Sequence, residues 1–106
     1  MKILLDECVD QKLRLLITGH DCQTAFYAKL AGLKNGVLLT AAELAGFELM
    51  ITTDQGIPYQ QNLAERLLAI LILCAPTNRL ADLKRLVPAA LGALDSIEPG
   101  QVIRID

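Results

Sequence analysis

"MITTDQGIPYQQN", Met50–Asn62, is where a greasy run stops abruptly. Two threonines and an aspartate end it, and polar side chains then crowd around a glycine and a proline. Taken with the residues before it, "FELMITT" (Phe47–Thr53) reads as a strand. The chain opens in the same way. "KILLD" (Lys2–Asp6) is a short apolar strand that also finishes on a carboxylate. Two strands that each end on an acid, far apart in sequence, decide the fold and raise the question of function together.

Between them, Val9, Leu13, Leu16 and Ile17 recur at helical spacing, which predicts a first helix stopped by Gly19. "DCQTA" (Asp21–Ala25) is a weaker second strand, and Phe26–Leu33 is ambiguous between a loop and a short helix. Leu38, Ala41, Ala42 and Ala45 then share one helical face, with Asn35 in the N-cap position and Gly46 as the stop. Leu67–Cys74 is continuous in Leu and Ile, as expected of a strand covered on both faces. Leu80, Leu83, Val87, Leu91 and Leu94 mark a last helical region that Pro88 divides near Val87. After the Pro99-Gly100 turn, Val102–Ile105 forms a terminal strand.

Strands alternating with helices predict an α/β domain with a mostly parallel sheet, its crossovers right-handed. The simplest doubly wound order is 2-1-3-4-5. In that order the chain reverses between strands 1 and 3, and a crevice opens at their carboxyl ends. Asp6 and Asp54 are then expected on its two lips. Two ionised carboxylates about 5 Å apart repel by roughly 3 kcal/mol at an effective dielectric near 20. Protonating one of them, or seating a divalent cation between them, removes that cost. Magnesium takes one or two carboxylates, keeps several waters and accepts phosphate oxygens, which suits phosphodiester hydrolysis.

Each candidate also has a plainer reading. Asp6 and Asp54 can cap the segments that follow their strands. Glu7 either assists Asp6 or points away from it. Thr52 and Thr53 either hydrogen-bond within the crevice or are ordinary strand residues. Asn35, Gln60, Gln61 and Asn62 either orient substrate or satisfy loop backbone. Tyr59 either stacks on a base or anchors its loop. Glu43, mid-helix, reads as a surface residue, and His20, the only histidine, has no matched cysteines to make a zinc site.

Composition bounds the rest. The chain has 106 residues, which fits one domain, 1–106. Apolar residues make up 53% with only four aromatics (Tyr 2, Phe 2, Trp 0), so the core must be aliphatic. The apolar run Leu67–Ala75 falls short of the ~20 residues of a membrane span, and a cytoplasmic protein is expected. Cys8, Cys22 and Cys74 are odd in number and form no C-x-x-C, which fits reduced thiols. A net charge of −2 gives no global pull on nucleic acid, so any RNA contact must use a local patch. Arg79, Lys84 and Arg85 are one near-cluster, read as a solvated helix face. The aliphatic surplus makes a homodimer an expectation as well.

The segments "MKILLDE" (Met1–Glu7), "GHD" (Gly19–Asp21) and "ITTD" (Ile51–Asp54) together resemble the small PIN-like domains. "GLKNG" (Gly32–Gly36) and "TTDQGIPYQQNL" (Thr52–Leu63) are similar to one branch of that group. The resemblance covers Met1 to Leu73. It implies a Rossmann-like three-layer sandwich and Mg2+- or Mn2+-dependent RNA cleavage, in some members as the toxin of a toxin–antitoxin pair checked by an antitoxin protein. By position, Asp6 matches the family's first acid and Asp54 its later one, as catalytic and metal-holding residues, with Glu7 assisting. Thr53, Asn35, Tyr59, Gln60 and Asn62 are the expected substrate contacts. The chain departs from the pattern twice: Lys34-Asn35-Gly36-Val37 carries no acid, and position 56 is Gly. A catalytically degenerate module that binds RNA or protein is therefore the second expectation. A phospho-acceptor receiver domain is a distant third, since the lysine it needs beyond strand 5 is not found.

Overall fold

The computed structural model describes residues 1–106, except for the side chain of Asn35, which lies outside the described residues. Five strands form one sheet: β1 (Lys2–Leu5), β2 (Asp21–Thr24), β3 (Leu49–Thr52), β4 (Ala69–Leu73) and β5 (Val102–Ile105). Their order is β2-β1-β3-β4-β5, and every pairing is parallel. The expected order 2-1-3-4-5 is thus the observed one, with a fully parallel sheet rather than a mostly parallel one.

Period-two alternation sends the side chains of each strand to opposite faces, and two separate cores result. On one face Ile3, Leu5, Ile51 and Leu71 pack under Leu13, Leu83, Ala90 and Leu94. On the other, Leu4, Met50, Ile70 and Ile72 pack under Leu38, Leu39, Ala42 and Ile57. β3 and β4 are buried at every position, as strands covered on both sides must be.

The covering elements are α1 (Asn35–Leu44), α2 (Ile57–Gln60), α3 (Leu80–Lys84) and α4 (Val87–Leu94). Gly46 ends α1 in the left-handed region, φ 88°. Its N–H reaches the carbonyl of Glu43, and that of Phe47 reaches Ala42. These two bonds satisfy the last carbonyls of the helix. Pro88 lies in the first turn of α4, where its missing N–H costs nothing, so the break falls between α3 and α4 as expected.

Two local expectations are corrected, and one open reading is resolved. The first helix is a short 3-10 helix, Gln11–Leu15, built on i→i+3 bonds such as Leu13 N–H to Asp10 O, 3.0 Å. Its apolar face is nevertheless the expected one, since Val9, Leu13 and Ile17 are all buried. Phe26–Leu33 is a run of turns without a helix. The cap position of α1 falls on Lys34, in extended conformation, so Asn35 is the first helical residue rather than the cap.

Candidate functional site

The parallel register builds the site. Ile3 pairs with Leu49 and Leu5 with Ile51, so the next position along each strand brings Asp6 beside Thr52. Both follow residues of the α1 face, Leu4 and Met50, and so point to that side of the sheet. Asp6 N–H continues the ladder to Ile51 O at 3.0 Å. At this point the apolar pattern ends, and a polar cluster takes over.

Thr52 is fully buried, and a buried hydroxyl must be paired. Its Oγ1 donates to Asp6 Oδ2 at 2.8 Å and accepts from the N–H of Asp54 at 3.0 Å. One hydroxyl therefore fixes both acid positions, holding the carboxylate of one and the backbone of the other. Cys8 Sγ closes the cluster, 3.6 Å from Asp6 Oδ2 and 3.4 Å from Thr52 Oγ1, and it accepts from Thr53 N–H at 3.5 Å. Asp6 Oδ1 accepts from Glu7 N–H at 2.8 Å. Oδ2 is thus met by both the hydroxyl and the thiol, while Oδ1 keeps a second lone-pair direction for another partner.

A crevice of about 260 Å³ opens here, between the ends of β1 and β3. Asp6, Glu7 and Asp54 all line it, with Lys34 and Gln61 on the rim and Leu39, Met50 and Ile57 among the apolar walls. The two acids expected on opposite lips do share one cavity. Glu7 joins them, its Oε1 accepting from Gly32 N–H across the opening. Asp54 is exposed, and its Oδ1 accepts from Gly56 N–H at 2.8 Å.

Position 56 is a glycine in a crowded place. A Cβ there would stand 3.2 Å from Asp54 Oδ1 and 3.3 Å from Gln60 Nε2. This puts Gln60 beside Asp54, and an acid at 56 would press on both. Gly36 has a related role, since a Cβ there would lie 3.1 Å from Oε1 of Gln61.

The other expected contacts are placed elsewhere. Thr53 is half-buried and meets the cluster through its backbone. Tyr59 is 84% exposed and does not line the crevice. Its ring lies under the Arg104 guanidinium, 5.9 Å away, and Arg104 also holds Gln55 O and Oε1, each at 3.3 Å. Arg104 thus ties β5 to the loop that carries Asp54. Asn62 is exposed and satisfies a turn, accepting from Ala64 N–H at 3.3 Å. The side chain of Asn35 lies outside the described residues. Cys8 and Lys34 line the cavity without a sequence signal that singles them out, Gln61 lines it as one of its two readings allows, and Thr52, read as a crevice hydrogen-bonder or an ordinary strand residue, is the former.

Glu43 is neither a plain surface acid nor a crevice group. It pairs with Arg66, Nη1 to Oε1 2.6 Å, with 21% and 19% of the two side chains exposed. Its Oε2 accepts from Leu67 N–H at 2.8 Å. Burial works to raise the Glu43 carboxyl, but the bonds from Arg66 and the Leu67 backbone, with the Arg66 charge, outweigh it and hold the group below its ordinary value. Among the described residues this is the one ion pair within 4.0 Å, so no lysine or arginine neutralises Asp6, Glu7 or Asp54.

For a divalent cation the donor set is hard oxygen, which suits magnesium or manganese. Among the described residues no three His, Cys, Asp or Glu side chains stand close enough to hold a metal together. A cation here would need most of its ligands from outside the protein. Comparison of the chain with protein-family models, curated proteins and solved structures gave no significant match in any of the three.

Proposed function

We propose that this protein is a metal-dependent ribonuclease whose active site is the crevice between β1 and β3. The observation that carries the reading is one cavity lined by Asp6, Glu7 and Asp54, none of them paired with a basic side chain among the described residues. Unneutralised acids at a topological switch point are the arrangement that a cation and a phosphate would complete. The resemblance of "MKILLDE" and "ITTD" to PIN-like domains supports the same chemistry.

Asp6 and Asp54 would hold Mg2+ or Mn2+, which when bound supplies charge neutralisation at the phosphate and a more acidic water. Thr52 fixes the rotamer of Asp6 and the backbone of Asp54, so the two donors are set before substrate arrives. Glu7, tied to Gly32 N–H, is the remaining carboxylate lining the cavity and would accept a proton. Lys34 on the rim and the start of α1 beside it, which has no side-chain cap, present positive charge to a phosphodiester. Gln60 beside Asp54 and Gln61 on the rim are the polar contacts for substrate.

A second reading has its own observation. Without a three-acid cluster, the crevice suits a module that retains binding of RNA or protein and has lost cleavage. The wider expectation of a toxin with an antitoxin partner rests on the resemblance alone. Leu44 (85% exposed) and Leu67 (73% exposed) are apolar side chains available to a protein partner or a second copy.

The test is cleavage of a single-stranded RNA with manganese or magnesium, against the same reaction in EDTA and with Asp54→Asn. The reading expects metal-dependent cleavage by the wild type and its loss in the variant, with folding unchanged. Equal cleavage by the two proteins sinks it. Absent cleavage, with no heat of manganese binding at millimolar concentration, favours the binding module.

A further inference from the structure

A second hollow, about 960 Å³, lies along β2, the strand at one edge of the sheet. Its lining includes Phe26 and Tyr27, two adjacent aromatics that are 85% and 74% exposed. Half of the aromatic residues in the chain therefore stand side by side in water. Hydrogen bonds hold the backbone turn that carries them. Thr24 Oγ1 accepts from Tyr27 N–H at 3.1 Å, Thr24 O from Ala28 N–H at 3.0 Å, and Ala25 O from Leu30 N–H at 2.8 Å. Lys29 closes the turn in the left-handed region, φ 63°, a conformation that costs a non-glycine residue about 1 kcal/mol or more.

Charge in this hollow favours an anion. Arg14 and Lys29 line it, and neither pairs with a carboxylate within 4.0 Å among the described residues. Asp21, the acid of the lining, is engaged by Gln23 Nε2 at 3.2 Å from both oxygens. Cys22 adds no negative charge at neutral pH, since burial pushes its thiol up to about 11. One stretch of chain borders both this hollow and the acid crevice. Phe26, Tyr27, Lys29 and Ala31 face the first, while Leu33 and Lys34 line the second.

We propose that the β2 groove is a binding track for single-stranded RNA, with bases stacking on Phe26 and Tyr27 and phosphates held by Arg14 and Lys29, leading the strand into the Asp6–Asp54 crevice. It rests on the ribonuclease reading for its substrate class. Aromatic platforms flanked by cations suit single strands because every base offers a π face and every nucleotide a phosphate. The exposed Arg79, Lys84 and Arg85 of the α3 region have no aromatic in the adjoining sequence and so lack the stacking half of such a site.

Binding is measured in EDTA, so that it is separate from cleavage. The probe is a fluorescein-labelled single-stranded RNA of about 12 nucleotides, read by anisotropy across a salt series. Phe26→Ala and Tyr27→Ala are each expected to weaken binding about tenfold. Arg14→Ala and Lys29→Gly are expected to lower the log–log salt slope by about 0.7 each, glycine keeping the left-handed backbone. A 4-thiouridine probe on the unaltered protein is expected to crosslink within the peptide 26–31, which does not depend on any variant folding. Binding unchanged within twofold in all four variants overturns the proposal. So does a crosslink confined to other segments, or variants that change only the sedimentation of the protein, which would make the groove an interface between copies. If these binding results hold and no metal-dependent cleavage is found, the ribonuclease reading fails while the track stands.

Discussion

Two ends of the same sheet treat their acids in opposite ways. Toward the amino ends of the strands, Glu43 is answered at once: Arg66 at 2.6 Å, and the N–H of Leu67 at 2.8 Å. At the carboxyl ends, Asp6, Glu7 and Asp54 share a cavity and are answered only by hydroxyl, thiol and backbone donors. A carboxylate with its own counter-charge is complete within the fold. Three carboxylates without one still favour positive charge near them.

The sharpest way to break this contrast is to neutralise an acid at each end. Asp6→Asn should cost cleavage more than the 10–100-fold typical of groups that merely support a metal ligand, with little loss of stability. Glu43→Gln should leave cleavage unchanged. If both variants cleave alike, the two ends do not differ in kind. Thr52→Val tests whether the buried hydroxyl organises the crevice. It keeps the shape but removes the bond to Asp6 and the acceptor for Asp54 N–H, so cleavage should fall about 10–100-fold. Stability should also fall, by about 1–3 kcal/mol, while Thr52→Ser restores most of both. Glu43→Gln has the next effect, read by circular dichroism in a urea titration because the chain has no tryptophan. It should destabilise by about 1–2 kcal/mol, between a surface and a buried ion pair.

The smallest effect is one of pH. The Glu43 carboxyl is held below its ordinary 4.5 in the folded protein. Its contribution is therefore whole above that value and is lost as pH falls through the lower folded one. Urea midpoints of the wild type should drop in this acidic window, and those of Glu43→Gln should drop less. A variant that tracks the wild type there would show that the pair contributes nothing.

How much of this could be read from the chain follows the range of the interactions. The strand order and the two lip acids were legible because they rest on runs of apolar residues and on where each run stops. The 3-10 geometry before Leu16 was not, since the spacing of Val9, Leu13 and Ile17 reports a buried face and not the hydrogen-bond pattern beneath it. Thr52 looks like the last residue of a strand. Its role appears only when the β1–β3 register sets it against Asp6, 46 positions away. Glu43 and Arg66 are 23 positions apart and meet only after α1 packs beside the segment leading into β4. Tyr59 belonged to the right segment, but its ring turns to Arg104 and away from the cavity.

The alignment of β1 with β3 also works as a check on assembly. Side chains alternate every second residue, so a slip of one position would turn the Leu5 side chain toward Thr52 and send Asp6 into the opposite apolar layer. The misassembled chain would bury a bare charge away from Thr52, so a well-folded molecule must also have the correct strand alignment.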